Sequence, residues 1–372
     1  MRDQHLRPLR VAIVAPSLRI LGGQSVQAER LLRGWSTDPE IAARLVPTNP
    51  LPPGFLRVAV RLKYLRTIVT QATFWPLLVR ELWWADVVHA FSASYSSFVL
   101  STLPAILIGR LLRRPVIVHY HSGEAPDHLR RSWVARYALA KLTDAVAVPS
   151  PFLRDVFAAF GLRTQVVPNT VDFDRFVFRP RHTLSPRLVS TRNFEAHYNV
   201  ACTLRAFAIV EQEYPNASLT LVGGGTHEGA LRGLARELKL QNVTFTGRVP
   251  ADEISRYYAD ADIYVQTPDI DNMPLSVLEA YASGVSVVST DAGGVPSILT
   301  HGVHGLLAPR GDHRAVADRI IELLRQPARA RQLAANAHTS CSHYSWSAVR
   351  PQWLALYREL ATPAALPAPT TA

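Results

Sequence analysis

Residues 268–296, reading PDIDNMPLSVLEAYASGVSVVSTDAGGVP, constrain this chain more than any other stretch. A loop, a helix, a strand and a glycine turn follow one another without a gap. Pro274 suits the first helical position, where its missing N–H costs nothing. Gly284 suits the residue just past the helix end, where a left-handed backbone is wanted. Residues 285–288 read as a buried strand, and Gly293-Gly294 as the next turn. Two acids bracket the helix: Asp271 lies before its first turn and Glu279 lies inside it. Between them the free amides near Leu275, Ser276 and Val277 sit at the positive end of the helix, where an anion is favoured. An acceptor one turn further in suits the ribose hydroxyls of a nucleotide diphosphate.

The rest of the chain alternates in the same way. Residues 9–15, 86–91, 115–121 and 144–149 read as buried strands with helices between them. The pattern resumes at 187–191, 218–222, 242–246 and 263–266. Strand, helix, strand with short loops implies a parallel, doubly wound sheet. The chain is long enough for two such units, and residues 172–186, rich in Arg, Phe and Pro, read as the linker. A first strand followed by Gly22-Gly23 and a helix over about 25–35 lets backbone amides approach a ligand. The dinucleotide fingerprint is absent, because Gly223-x-Gly225 is followed at the third place by Glu228, which argues against an NAD site. Trp346, Trp353 and Tyr357 mark one face of a final helix.

Asp271 and Glu279, with DNMPLSVLEAYASG between and around them, resemble the acid-x7-acid signature of retaining, GT-B-fold glycosyltransferases of family 4. Typical members begin that signature with Glu, where this chain has Asp271. Asn169 to Phe176 (NTVDFDRF) resembles the family's N-G-V-D-x-x-x-F segment, with Thr170 in place of the Gly. The resemblance implies a GT-B fold: two Rossmann-like domains, 1–175 on the acceptor side and 176–345 on the nucleotide-sugar side, facing across a cleft. Residues 346–361 would cross back to the first domain, and 362–372, rich in Pro and Ala, would be a disordered tail.

The resemblance also assigns roles. Arg192 would clamp the donor diphosphate. The Lys usually found about five residues later is missing, and His197, Tyr198 and Asn199 stand there instead. Gly22 and Gly23 would approach the diphosphate, and the backbone at Val249 would meet the base. Asn272, Met273, Pro274, Leu275 and Ser276 would line the donor site, with Glu279 on the ribose. Asp271 would hold sugar hydroxyls, and His121, at the end of its strand, would touch the donor sugar from the other domain. No metal or cofactor is implied; the nucleoside diphosphate sugar is a co-substrate. The implied activity is transfer of a hexosyl unit to an acceptor hydroxyl with retention, in surface polysaccharide or glycolipid assembly. A sugar-nucleotide epimerase of the same fold and a non-catalytic sugar-nucleotide binder stay open, the second because of the missing Lys.

Composition narrows the setting. Two cysteines, Cys202 and Cys341, do not make a disulfide framework and suggest a reducing, cytoplasmic compartment. The basic start carries too short an apolar run for a leader peptide. The net charge of +11 is uneven: residues 1–172 hold 21 Lys and Arg against 11 Asp and Glu, and residues 173–372 hold 19 against 18. A basic first half suits an anionic surface or acceptor, and no nucleic-acid motif accompanies it. Residues 47–84 are the least regular part, with Arg57, Arg61, Lys63 and Arg66 interspersed among apolar and aromatic residues. Two readings stay open there: a helix resting on the inner face of an anionic membrane, or one packed on the core with its Arg heads turned out.

Overall fold

The computed structural model describes residues 7–20, 22–54 and 63–362. Arg57, Arg61 and the tail beyond 362 lie outside the described residues. In the first half β1 (Leu9–Ala15), α1 (Gly23–Trp35), β2 (Ile41–Pro47), α2 (Lys63–Trp84), β3 (Val87–Ser92) and α3 (Leu103–Leu111) follow one another. Then come β4 (Val116–Tyr120), α4 (Ala125–Arg131), α5 (Trp133–Tyr137), β5 (Ala145–Val148), α6 (Pro151–Ala158) and β6 (Gln165–Val166). The second half begins with β7 (Arg187–Ser190), α7 (Val200–Glu213), β8 (Ser218–Val222), α8 (Glu228–Glu237), β9 (Val243–Gly247) and α9 (Ile254–Asp260). It continues through β10 (Ile263–Gln266), α10 (Leu275–Ala282), β11 (Ser286–Thr290), β12 (Leu306–Ala308), α11 (His313–Arg325), α12 (Pro327–Cys341) and α13 (Trp346–Ala361).

Each half is built on a six-stranded sheet, ordered β2-β1-β3-β4-β5-β6 in the first and β12-β11-β10-β7-β8-β9 in the second. Every pairing is parallel, as the short strand–helix–strand units require. In both sheets the order reverses beside the first strand, and that switch opens a crevice at the carboxyl ends of the strands. The two sheets present those ends to each other.

Local chemistry explains where the elements start. Ser150 caps α6, its Oγ accepting the Leu153 N–H at 3.2 Å, with Pro151 in the first turn. Asn199, with φ of 43°, caps α7 by accepting the Cys202 N–H at 3.3 Å. In α10 the residues from Ser276 to Ala282 are all buried, so its sequence is apolar on every side rather than striped. Pro274 sits one place earlier than the sequence suggests, in extended backbone just before the helix. The sequence alone gives no element over 41–47 and reads as least regular over 47–84; the structure describes a strand over the first and a helix over 63–84. Ile41 to Pro47 pairs along β1 as an edge strand, and α2 runs unbroken over Pro76.

The last helix ties the ends of the chain together. Val349, Trp353, Leu356 and Tyr357 of α13 share one core with Val11, Ile13, Leu31 and Trp35 of the first half. Both cysteines are free and buried. Among the described residues no helix is long and apolar enough to cross a membrane.

Candidate active site

A cleft of about 610 Å³ lies between the facing strand ends, within the range of nucleotide-sized pockets. Gly22, Gly23, His121, Arg192, Val249 and Glu279 all line it, as does the whole run from Asp271 to Ser276. The structure therefore brings every sequence-predicted site residue into one cavity, although it gives several of them unforeseen partners.

Arg192 follows β7 and is buried. Its Nη2 donates to Asp271 Oδ2 at 2.5 Å and its Nη1 to Ser276 Oγ at 3.0 Å. Its guanidinium lies 4.0 Å from the centre of the Tyr198 ring. Tyr198 occupies the neighbourhood in which the resemblance expects a Lys, so an aromatic face stands where a second charge would be. Burial opposes the Arg192 charge, but the Asp271 carboxylate outweighs it, and the guanidinium is held more firmly protonated than usual. Its Nε is buried and has no partner among the described residues. Arg248 is exposed at the cleft wall and makes no ion pair among the described residues.

Glycines let these parts meet. Gly223 has φ of +152°, and a Cβ there would stand 2.1 Å from the Arg192 carbonyl oxygen. A Cβ on Gly293 would lie 2.2 Å from the Asp271 carbonyl oxygen, and one on Gly294 would lie 2.0 Å from that of Asn272. The Gly293-Gly294 pair is thus the seat on which the Asp271-Asn272 loop rests, with the Gly294 N–H donating to the Asp271 carbonyl at 3.1 Å. Gly22 and Gly23 differ. A side chain at either would meet nothing within 4 Å, because both face the open cleft.

The amides at the start of α10 are fewer than the sequence suggests. The Val277 N–H closes a turn onto the Pro274 carbonyl at 3.2 Å. The Leu275 and Ser276 N–H groups make no hydrogen bond among the described residues and remain for an anion. Asn272 and Met273 are held from across the cleft. Ser150 Oγ donates to Asn272 Oδ1, and Asn169 Nδ2 donates to the Met273 carbonyl at 3.2 Å. These bonds anchor the loop and leave Asp271 and the helix start facing the cleft.

Glu279 is the larger surprise. Its Oε1 accepts from Arg30 Nη2 at 2.6 Å and its Oε2 from the Tyr258 hydroxyl at 3.0 Å. Arg30 comes from α1, in the other half, and also donates through Nη1 to the Thr170 carbonyl at 2.8 Å. Gln27, one turn before it, donates to Thr170 Oγ1 at 3.0 Å. Gln27 and Arg30 share the inward face of α1 with Ala28 and Leu31. Polar residues inside an apolar stripe were the signal available for them. Asn169 stood in the segment that resembles the family's, without a role; Tyr258 and Ser150 carried no signal for the cleft.

His121 directly follows β4, with its ring stacked on Phe91, centroids 4.9 Å apart and planes within 8°. Behind it His119 Nδ1 meets His89 Nε2 at 3.2 Å, and His89 Nδ1 meets the Tyr357 hydroxyl at 2.7 Å. Burial pushes His121 and His89 down to about 3, and His119 well below its ordinary value. All three imidazoles are therefore neutral at any ordinary pH, and His121 Nε2 has no partner among the described residues.

Two family models tile this chain. The model of glycosyl transferases group 1 matches residues 174–340, the half that carries Arg192, Asp271 and Glu279. The model of glycosyltransferase family 4 matches residues 21–175, the half that carries Gly22 and His121. The chain is a glycosyltransferase of the GT-B fold. Anabaena HepE, solved in complex with UDP and glucose, superposes with a TM-score of 0.72 at 20% identity, over 94% of this chain and 99% of its own. A GDP-mannose-dependent alpha-(1-6)-phosphatidylinositol monomannoside mannosyltransferase of Mycolicibacterium smegmatis is 28% identical over 272 residues, 65% of this chain and 71% of its own. A phosphatidyl-myo-inositol mannosyltransferase of Mycobacterium tuberculosis is 25% identical over 378 residues, 95% of this chain and 97% of its own. In this glycosyltransferase the Arg192–Asp271 and Arg30–Glu279 pairs are buried ion pairs in the cleft wall.

Proposed function

We propose that the chain transfers a hexosyl unit from a nucleoside diphosphate sugar to an acceptor hydroxyl, with retention of configuration, in the assembly of a surface polysaccharide or glycolipid in the cytoplasm. One observation carries this reading. Arg192 and the unpaired amides of Leu275 and Ser276 border one cleft, with Asp271 and Glu279 on either side of them. The relatives support it: HepE is solved with UDP-glucose, and the mycobacterial enzyme is named for GDP-mannose.

The bond between the anomeric carbon and the diphosphate breaks while one to the acceptor oxygen forms, and negative charge gathers on the departing nucleotide. Fixed donors stabilise that charge without reorganising. Arg192 supplies a planar fork for phosphate oxygens, and the two amides add the positive end of α10. In this reading they carry the diphosphate without a metal. Asp271 is held by Arg192 and faces the sugar. Glu279, fixed by Arg30 and Tyr258, turns its remaining lone pairs to the ribose. Neutral His121 offers an uncharged ring beside the sugar.

The test is a thermal-shift panel of nucleotides and nucleotide sugars, including UDP-glucose and GDP-mannose, followed by acceptor-dependent nucleotide release. NMR of the product anomer reads out retention. Failure of every nucleotide and nucleotide sugar to stabilise the protein would sink the reading. Conversion of the donor into an epimeric sugar nucleotide, with no net nucleotide release and no need of an acceptor, would move it towards an epimerase, and binding without turnover towards a sugar-nucleotide binder.

A further inference from the structure

Helix α2 wears its apolar residues on both sides. Phe74, Leu78 and Leu82 enter the core, as an amphipathic helix requires. Leu65, Ile68, Trp75, Val79 and Trp83 form a second stripe, at helical spacing, that faces solvent. Trp83 is 69% exposed. Helix α3 packs beside α2. It shows the same inversion, with Ala105, Ile106 and Ile108 buried and Leu107 and Leu111 exposed, the latter at 80%. Arg114 Nη2 donates to the Trp83 carbonyl at 3.1 Å and fixes the end of one helix against the turn after the other. The turn leading into α3 continues the surface with Val99 and Leu100. Isolated exposed apolar side chains need no explanation, but two adjoining outward stripes do.

The unpaired charges on this face have one sign. Residues 63–114 contain six Lys and Arg against two acids, Glu81 and Asp86. Glu81 is buried and pairs with Arg80 at 2.6 Å, and Asp86 pairs with Arg10 at 2.8 Å. Arg66 and Arg113 are exposed and unpaired among the described residues. An outward apolar band with indole rings and flanking guanidinium groups matches the depth profile of a bilayer surface, in which acyl chains lie beneath anionic headgroups. Arg110 already pairs with Asp144 at 3.6 Å. A protein partner would meet the same apolar band, but Arg66 and Arg113 are answered only by an anionic counterpart.

We propose that the outward faces of α2 and α3 form a docking surface for an anionic lipid bilayer. The turn before α3 joins that surface to the active site, because Ser97 and Ser101 line the cleft while Val99 and Leu100 face out. Docking therefore sets the acceptor side of the cleft at the membrane, where an acceptor with a lipid anchor presents its headgroup. That last step rests on the proposed transfer reaction; the docking itself does not.

The full chain is mixed, without nucleotide, with sedimentable vesicles of pure phosphatidylcholine or of phosphatidylcholine with phosphatidylglycerol. Binding to the anionic vesicles is expected to exceed that to the neutral ones, and to weaken with salt. Ile68→Ser with Val79→Ser and Leu107→Ser should lower it roughly tenfold or more. Arg66→Glu with Arg113→Glu should remove the preference for anionic vesicles. Val303→Ser, an exposed apolar site in the second half, should change nothing. Brominated acyl chains should quench tryptophan fluorescence, less so in Trp75→Phe/Trp83→Phe. Circular dichroism checks that each variant is folded. Equal binding to both vesicle types, no binding to either, or binding untouched by the triple serine variant would overturn the proposal. So would concentration-dependent dimerisation that the serine variant abolishes, which would make the surface an interface between copies.

Discussion

The two halves share one architecture and use their interiors differently. Each has six parallel strands, and each contributes one wall of the cleft. Behind its wall the second half buries charge: Arg192 with Asp271, and Arg181 with Asp262. It seats the first of these pairs by placing Gly223 against the Arg192 carbonyl and Gly293 and Gly294 against those of Asp271 and Asn272. The first half buries neutral rings, with His89, His119 and His121 in a row running from Tyr357 to the cleft. It also keeps its apolar excess outside. Of the 19 large hydrophobic residues exposed among the described ones, 15 precede residue 172. The second half is thus the more charged behind its wall, whereas the first buries mainly neutral rings there, sends Arg30 across to Glu279, and carries its apolar surplus outside. One scaffold supports both because the sheet fixes only where loops emerge, not what they carry.

Five measurements would break or sharpen that contrast. The largest effect is expected at Arg30, the charge that the first half lends to the second. Arg30→Ala leaves Glu279 buried without its cation and should cost about 3–5 kcal/mol in urea unfolding. A loss of about 1 kcal/mol or less, as for an exposed pair, would show that the halves do not share this charge. Next is Arg192→Ala, which should lower kcat/KM by about 100- to 1,000-fold, measured as acceptor-dependent nucleotide release. Gly294→Ala forces a methyl onto the Asn272 carbonyl and should cost about 1–3 kcal/mol, together with donor affinity.

The histidines make the fourth test. Their folded pKa values are depressed by burial, to about 3 for His89 and His121, against about 6.5 unfolded. The unfolded chain therefore binds more protons below about pH 6.5, and stability present above that value is lost as pH falls. Each histidine should remove about 1.4 kcal/mol per pH unit down towards its folded pKa. Denaturation curves of equal midpoint at pH 7.5 and pH 5 would contradict the neutral row. The smallest effect belongs to Gly23→Ala. It meets open space, so stability should move by no more than about 0.5 kcal/mol, while the Michaelis constant for the donor rises if the cleft fills as proposed.

The alternation of strands and helices was legible because buried strands and capped helices are local patterns. Asp271 and Glu279 read as cleft residues because a long, specific signature surrounds them, and Arg192 because it follows the first strand of the second half. Partners were not. Glu279 meets Arg30 across 249 positions, and Asn272 meets Ser150 across 122, with nothing in the local sequence to announce either. Strand β2 escaped because it lies at an edge, half-covered, with Arg44 in its middle. Helix α2 read as irregular because its apolar residues belong to two stripes, and two stripes superposed on one helix blur the period that reveals either.

The row of rings behind the cleft ends on Tyr357, and Tyr357 belongs to the last helix. A ribosome making this protein therefore finishes the first sheet long before the residues that close its core leave the exit tunnel. Until α13 arrives, His89 lacks its hydroxyl partner and Val11, Leu31 and Trp35 lack their cover. Domains that emerge first usually fold first; here the core of the first half stays uncovered until α13 has been made, after every strand of the second half.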